Sequence, residues 1–193
     1  MPGPLPLRFV LSAQQLDQLP PSPAELAVVG RSNVGKSSLI NALGGSNKLA
    51  LTSKTPGRTR LLNQFSLGDA TLVDCPGYGY AKASASLRQS WQAMAERYLL
   101  ERDGLVGVLA LVDGEIGPTK LDLQLLDWLR ANGRTVHLIA TKHDKVKSSQ
   151  RDKRKRELAE GCGLAPSDVV WVSSAKGVGI DRLRGLIVHW LHE

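Results

Sequence analysis

Residues Gly30-Arg31-Ser32-Asn33-Val34-Gly35-Lys36-Ser37 constrain this chain more than any other stretch. They fit the spacing G-x-x-x-x-G-K-[ST] directly after the apolar run Leu26-Ala27-Val28-Val29 and ahead of a helical pattern over 36–43 that stops at Gly44-Gly45. A buried strand that turns into a helix through a glycine-rich loop presents backbone N–H groups at a helix N-terminus, a preorganised anion site suited to phosphate. Gly30 and Gly35 let the backbone approach with no Cβ in the way. Lys36 is placed to reach the outer phosphate oxygens and the Ser37 hydroxyl to ligate Mg²⁺. Arg31, Ser32, Asn33, Val34 and Ser38 complete the candidate phosphate-binding set. A plain glycine-rich turn with an exposed lysine is the competing reading, and the strand-to-helix setting speaks against it.

Short apolar runs and amphipathic stretches alternate through the rest of the chain. Residues 61–67 and 70–73 read as strands joined at Gly68-Asp69, a hairpin signal, while 105–112, 136–140 and 169–172 read as buried strands. Leu87, Trp91, Met94, Ala95 and Tyr98 recur at helical spacing. So do Leu121, Leu125, Trp128 and Leu129, behind the capping-box-like pair Thr119 and Asp122. A charged helix is predicted over 148–160 and a closing one through Ile180, Leu183, Ile187, Trp190 and Leu191. The alternation predicts an α/β domain over 25–193 with a mostly parallel sheet, one antiparallel edge strand and helices on both faces. Residues 1–24 are proline-rich and read as an extension draped on that domain through Phe9, Val10 and Leu11.

Composition narrows the setting. With 193 residues, 42% hydrophobic and 22% charged, the chain is long enough for one compact core and too ordinary for a disordered or fibrous protein. The longest apolar run, 104–112, stops at Asp113, far short of a membrane span. No basic leader precedes an apolar stretch at the N-terminus, and Cys75 and Cys162 are too few for a disulfide framework or a zinc site. A reducing cytoplasm is therefore expected. The net charge of +7 leans toward a polyanionic partner.

Three further elements sit where open α/β sheets bind ligands, at the C-terminal ends of strands. Asp74-Cys75-Pro76-Gly77 offers a carboxylate for Mg²⁺ and, at Gly77, an N–H for a terminal phosphate. Thr141-Lys142-His143-Asp144 offers a carboxylate whose two acceptors match guanine N1–H and N2–H₂, whereas adenine would leave it facing a lone pair, at a cost of about 1–3 kcal/mol. The stem of Lys142 can pack along the base. Val172-Ser173-Ser174-Ala175 supplies backbone N–H groups for guanine O6, with Ala175 small enough for close approach. Each of these three is a common loop sequence by itself; order and position lend them weight.

The segment from Glu25 onward resembles the translation-factor-like GTPases, and within them the EngB (YihA, YsxC) group of bacterial ribosome-biogenesis GTPases. The matches are Gly30 through Asn41, Lys54-Thr55-Pro56-Gly57-Arg58-Thr59, Asp74-x-Pro76-Gly77-Tyr78-Gly79-Tyr80-Ala81, Gly117-Pro118-Thr119-x-x-Asp122 and Thr141-Lys142-x-Asp144-Lys145. The resemblance implies a three-layer P-loop GTPase fold with a six-stranded sheet, GTP and GDP as ligands, and a role in large-subunit assembly linked to cell division and septation. It also implies that Thr59 completes Mg²⁺ coordination in the GTP state and that Gly57, Arg58, Thr59, Arg60 and Leu61 line the phosphates. Lys36, Thr59 and Gly77 are then the catalytic set. Cys75 and His143 depart from the small or apolar residues expected there. Cys75 is read either as a redox-sensitive thiol or as a buried inert one.

A P-loop kinase and an RNA-binding module with a non-catalytic pocket are the competing functions. The first lacks an arginine-rich lid, and the second is hard to square with Lys36, Ser37, Asp74 and Asp144 all being intact. Tyr78 stands where many GTPases carry a water-orienting glutamine, so unaided hydrolysis is expected to be slow. Asn33 either helps to bind K⁺ as a substitute cation or only shapes the loop. Lys145, Lys147, Arg151, Lys153, Arg154, Lys155 and Arg156 face one acid, Asp152, within 145–156, and Lys48, Lys54, Arg58 and Arg60 form a second basic set. A solvated helix face competes here with a ribosomal RNA surface. A monomer is expected.

Overall fold

A computed structural model describes residues 3–50, 61–79 and 85–192, with the backbone alone at 85–88, 90 and 91. Its elements are β1 (Arg8–Ala13), β2 (Glu25–Gly30), α1 (Lys36–Gly44), β3 (Leu62–Leu67), β4 (Ala70–Asp74), α2 (Ala85–Glu101), β5 (Leu105–Asp113), α3 (Lys120–Ala131), β6 (Val136–Thr141), α4 (Arg151–Gly161), β7 (Val169–Trp171) and α5 (Ile180–Trp190). The sheet runs β1-β3-β4-β2-β5-β6-β7. β2 pairs in parallel with β4 and β5, and β6 with β5 and β7, while β3 is antiparallel to both β4 and β1.

The α/β class and the Gly68-Asp69 hairpin stand. The strand count does not: the sheet has seven strands, because the N-terminal extension supplies β1 on the outside of β3. Of the three residues expected to seat this extension, Leu11 is partly buried against the core and the other two are not. Leu5, Leu7, Ala13 and Leu19 are buried, whereas Phe9 and Val10 are exposed, Phe9 lying edge-on to Phe65 at 5.8 Å.

Strand alternation sends side chains to both faces of the sheet, and each face is covered. Ala27, Val29, Val108, Ala110 and Val112 pack with Tyr98 and Leu99 of α2, Leu126 and Leu129 of α3 and Leu158 and Ala159 of α4. Leu26, Val28, Leu109 and Leu111 pack with Leu39, Ile40 and Leu43 of α1 and Leu183 and Ile187 of α5. α3 starts at the expected capping box: the Thr119 side chain accepts from the Asp122 N–H, and Asp122 accepts from the Thr119 N–H. Its inward residues are Asp122, Leu126 and Leu129, so Leu121, expected in the core, is exposed. The charged stretch 148–160 begins as a 3₁₀ turn over Ser148–Gln150 before α4.

At the end of the sheet opposite the P-loop, Glu25 is fully buried and accepts from Thr71, Tyr98 and Arg102 at 2.6, 2.7 and 3.0 Å. Arg102 also donates to the carbonyls of Leu19 and Pro20. One ion pair thus fastens the C-terminal end of α2 and the N-terminal extension to the first residue of β2. No helix among the described residues is long and apolar enough to cross a membrane.

Candidate functional site

Because β2, β4, β6 and β7 run in one sense, the four sequence elements emerge at the same end of the sheet. Gly30 closes β2 with no room for a side chain: a Cβ there would lie 2.8 Å from Val34 Cγ1 and 3.1 Å from Leu111 Cβ. Asn33 (φ 65°) and Gly35 (φ 109°) take the left-handed backbone that curls the loop into α1. Asparagine tolerates that conformation better than most side chains, which gives the loop-shaping reading of Asn33 a geometric basis. Lys36 opens α1, is buried, and lies back across the loop with Nζ 3.5 Å from the Gly30 carbonyl. Ser37 is half-buried one residue further on.

Asp74 ends β4 directly opposite Asn63 of β3. Its carboxylate is buried, accepts a hydrogen bond from the Asn63 side chain, and leaves Oδ1 without a partner. Burial pushes its pKa up to about 6 against the pull of Lys36 and Asn63. A buried carboxylate with an orphaned oxygen suits Mg²⁺, which takes oxygen ligands from one or two carboxylates together with phosphates. Cys75 is buried, and burial with the neighbouring Asp74 raises its thiol well above the usual value, which favours the inert reading. Leu61 is half-buried just before β3; Gly57, Arg58, Thr59, Arg60 and Lys54 fall outside the described residues.

The segment after Asp74 lies on the P-loop. A Cβ on Gly77 would stand 3.0 Å from Lys36 Nζ and 3.1 Å from Ser32 N. The Ser32 N–H donates to the Tyr78 carbonyl at 2.9 Å, and the Ser32 hydroxyl reaches the Gly77 carbonyl at 3.4 Å. Tyr78 in turn donates its hydroxyl to Asp122 Oδ1 at 2.7 Å. Arg31 Nε lies 3.2 Å from Asp122 Oδ2, an ion-pair contact rather than an aligned hydrogen bond.

The base-side elements are joined to each other and to the loop. Thr141 Oγ1 lies 2.7 Å from the Val34 carbonyl and 3.2 Å from that of Val112. Lys142 takes a left-handed backbone (φ 57°) and its ammonium pairs with Asp113 Oδ2 at 2.6 Å. The His143 N–H donates to the Val172 carbonyl, and Ser173 donates its hydroxyl to Asp144 Oδ1 at 2.6 Å. That hydrogen bond, chiefly, holds the Asp144 carboxyl below its ordinary value. The His143 ring stands edge-on to Trp171, and burial with Arg151 and Lys155 nearby favours its neutral form. Ser174 and Ala175 follow in the turn that Ser173 closes by accepting from the Lys176 N–H at 3.1 Å.

Three residues belong to this arrangement that the motifs did not mark as such: Asp113, Asn63 and, as a partner of Tyr78 and Arg31, Asp122. Asp113 had one signal, a carboxylate at the tip of an otherwise apolar strand.

The basic segment is better compensated than its composition implies. Glu157, just past it, stands 3.7 Å from Lys153 and 3.9 Å from Arg154. Arg151 donates to the Val146 carbonyl, and Arg154 is half-buried against Gly117. The outward cations are Lys145, Lys147, Lys153 and Arg156, with Lys48 exposed beyond α1.

Comparison with known proteins places these features in a family. The family model described as 50S ribosome-binding GTPase matches residues 25–142. A probable GTP-binding protein EngB of Thiobacillus denitrificans is 43% identical over 187 residues, covering 95% of this chain and 90% of that protein. Its counterpart in Clostridium perfringens is 46% identical over 179 residues, covering 91% and 90%. A crystal structure of a probable GTP-binding protein engB superposes with a TM-score of 0.72 at 24% identity, covering 88% of this chain and 99% of that one. Era in complex with MgGDPNP and a segment of 16S ribosomal RNA gives 0.70 at 26% identity, covering 90% and 58%.

Proposed function

This chain belongs to the EngB family of GTP-binding proteins, and on that premise we propose that it is a slow GTPase switch acting in assembly of the large ribosomal subunit, with consequences for cell division. One observation carries the guanine reading: Asp144 is held ionised by Ser173 while Thr141 ties the same segment to the Val34 carbonyl. The segment whose carboxylate matches guanine is thus hydrogen-bonded directly to the loop that matches phosphate. The backbone N–H groups of the P-loop and Lys36 hold the phosphates. Ser37, Asp74 and Thr59 hold Mg²⁺, which when bound neutralises charge on the β- and γ-phosphates. Gly77 meets the γ-phosphate, and the Val172–Ala175 turn meets the base.

Slow hydrolysis follows from Tyr78, whose hydroxyl is engaged by Asp122 and which has no amide to orient water. K⁺ near Asn33 is the supplementary cation of this reading. The ribosomal reading is supported by the family model's description, by the rRNA-bound Era neighbour and by the outward cations Lys145, Lys147, Lys153 and Arg156. A cytoplasmic monomer fits it.

Two measurements test the proposal together. The purified chain should bind GDP and GTP and leave ATP unbound, and should co-sediment with ribosomal particles more with a non-hydrolysable GTP analogue than with GDP. Equal binding of ATP removes the guanine assignment. Nucleotide-independent sedimentation, or none, removes the switch.

A further inference from the structure

Leu121, Leu125, Trp128 and Leu129 follow one helical period, yet only part of that face of α3 turns into the core. Leu126 and Leu129 are buried there, while Leu121, Leu125 and Trp128, spaced i, i+4 and i+7, form a second apolar row beside them. Leu125 and Trp128 are half-buried and Leu121 is 47% exposed.

That row is one wall of a cavity of about 630 Å³. The other walls come from α2, through Ala95, Glu96 and Leu99, and from Cys75–Gly79, the segment that leaves β4. Val29 of β2 and Cys75 line it too, and both are buried, so the space reaches down to the sheet. Depth and size decide what kind of occupant suits it. A space floored by buried strand residues is filled by something that inserts, and its volume falls within the range of small-molecule sites, about 300–1,000 Å³.

Charge narrows the class. Glu96 is the one charged residue among the described lining residues, and its Oε1 accepts from Gln92 Nε2 at 2.7 Å. With no lysine or arginine among them, a phosphate or carboxylate would lose its water without gaining a counter-charge. A divalent cation would find a single carboxylate, too few oxygen ligands to hold it. An uncharged guest meets neither cost. Trp128 and Tyr78 add aromatic surface, and aromatic pairs contribute beyond the area they bury. A rigid ring system also loses little conformational freedom on entry.

We propose that this cavity is a binding site for a compact, uncharged aromatic molecule, distinct from the nucleotide site and independent of the guanine reading. The two sites share a wall. Gly77 lines the cavity and also lies against Lys36 and Ser32 of the P-loop.

The probe is phenylnaphthylamine, an uncharged aromatic amine whose emission rises in apolar surroundings, titrated into the full chain, Ala95→Phe and Leu121→Glu. Ala95→Phe puts a ring into the cavity. Leu121→Glu puts a charge on its wall at an exposed position, where folding is spared. The parent should bind the probe saturably with a dissociation constant on the order of 10 µM, as expected for a guest of this size. Ala95→Phe should weaken binding at least tenfold and Leu121→Glu about fivefold. Naphthol should displace the probe, and naphthoate, which adds a carboxylate, should do so at least tenfold less well. No saturable binding to the parent overturns the site. Parental affinity in Ala95→Phe, or in Leu121→Glu where the first variant does not fold, places the probe elsewhere and overturns it equally. Equal displacement by naphthol and naphthoate overturns the uncharged class.

Discussion

Thr141 Oγ1 lies 2.7 Å from the Val34 carbonyl, although the two residues are 107 apart in the chain. This contact couples the segment proposed to read the base to the loop proposed to hold the phosphates. Thr141→Val keeps the shape and leaves a buried carbonyl unpaired, at a cost of about 1–3 kcal/mol. Thermal unfolding should show a lower midpoint, and GDP affinity should fall at least fivefold. An unchanged affinity would make the contact purely structural.

Asp144→Asn should weaken GTP binding by tenfold or more and shift preference toward xanthosine triphosphate, since one acceptor becomes a donor. Competition titration with the two nucleotides reads this directly. Parent-like GTP affinity would remove Asp144 from base recognition.

Ser173→Ala should bring the Asp144 carboxyl back toward its ordinary range, because the Ser173 hydroxyl is the main cause of its lowered pKa. A depressed carboxyl contributes above its unfolded value and loses that contribution as pH falls through the folded one. GDP binding by the variant should therefore fade at a higher pH than that of the parent, in the acidic range below about 5. Coincident pH profiles would contradict this.

Asp74 carries the opposite sign. Its folded pKa is raised to about 6 from an ordinary 3.8, so the folded state holds the extra proton between those values. The nucleotide-free protein should lose the stability due to this group as pH rises through that window. In denaturant titrations, Asp74→Asn should be more stable than the parent at pH 7.5 and approach it by pH 4. A constant difference would mean that the carboxyl titrates normally.

For RNA, Lys147→Glu, Lys153→Glu and Arg156→Glu together should flatten the salt dependence of rRNA binding. The parental log–log slope should be about −3 to −4 if roughly four phosphates are neutralised. Reversal of Arg151 or Arg154 should instead lower stability, since both are engaged within the fold. Unchanged particle binding in the triple variant across salt would return α4 to a solvated face.

Much of this was legible in the sequence, and the gaps share one cause. The P-loop, the Gly68-Asp69 turn and the Thr119–Asp122 cap are local patterns, each closed within a few residues. Asp113 and Lys142 are 29 apart, and only adjacency of β5 and β6 brings them together. Tyr78 and Asp122 are 44 apart and meet through the packing of α3 beside β4's exit. Leu121 follows the helical period but sits one residue before the buried cap residue, so the phase of α3 turns it outward. The pairing of β1 with β3 is likewise non-local, which is why the proline-rich start of the chain read as an appendage.

That pairing has a consequence for how the chain comes to be made. β1 precedes its partner β3 by about fifty residues in the chain, so it stays unpaired until that intervening stretch has been made. Until it docks, Leu62–Leu67 is an open edge with free N–H and C=O groups, the kind of surface that recruits a second chain. The buried Leu5, Leu7 and Leu19, and the Arg102 bonds to the Leu19 and Pro20 carbonyls, hold the segment in place once it is paired. The N-terminal segment thus covers the β3 edge and leaves the outer side of β1 as the open edge at that end of the sheet.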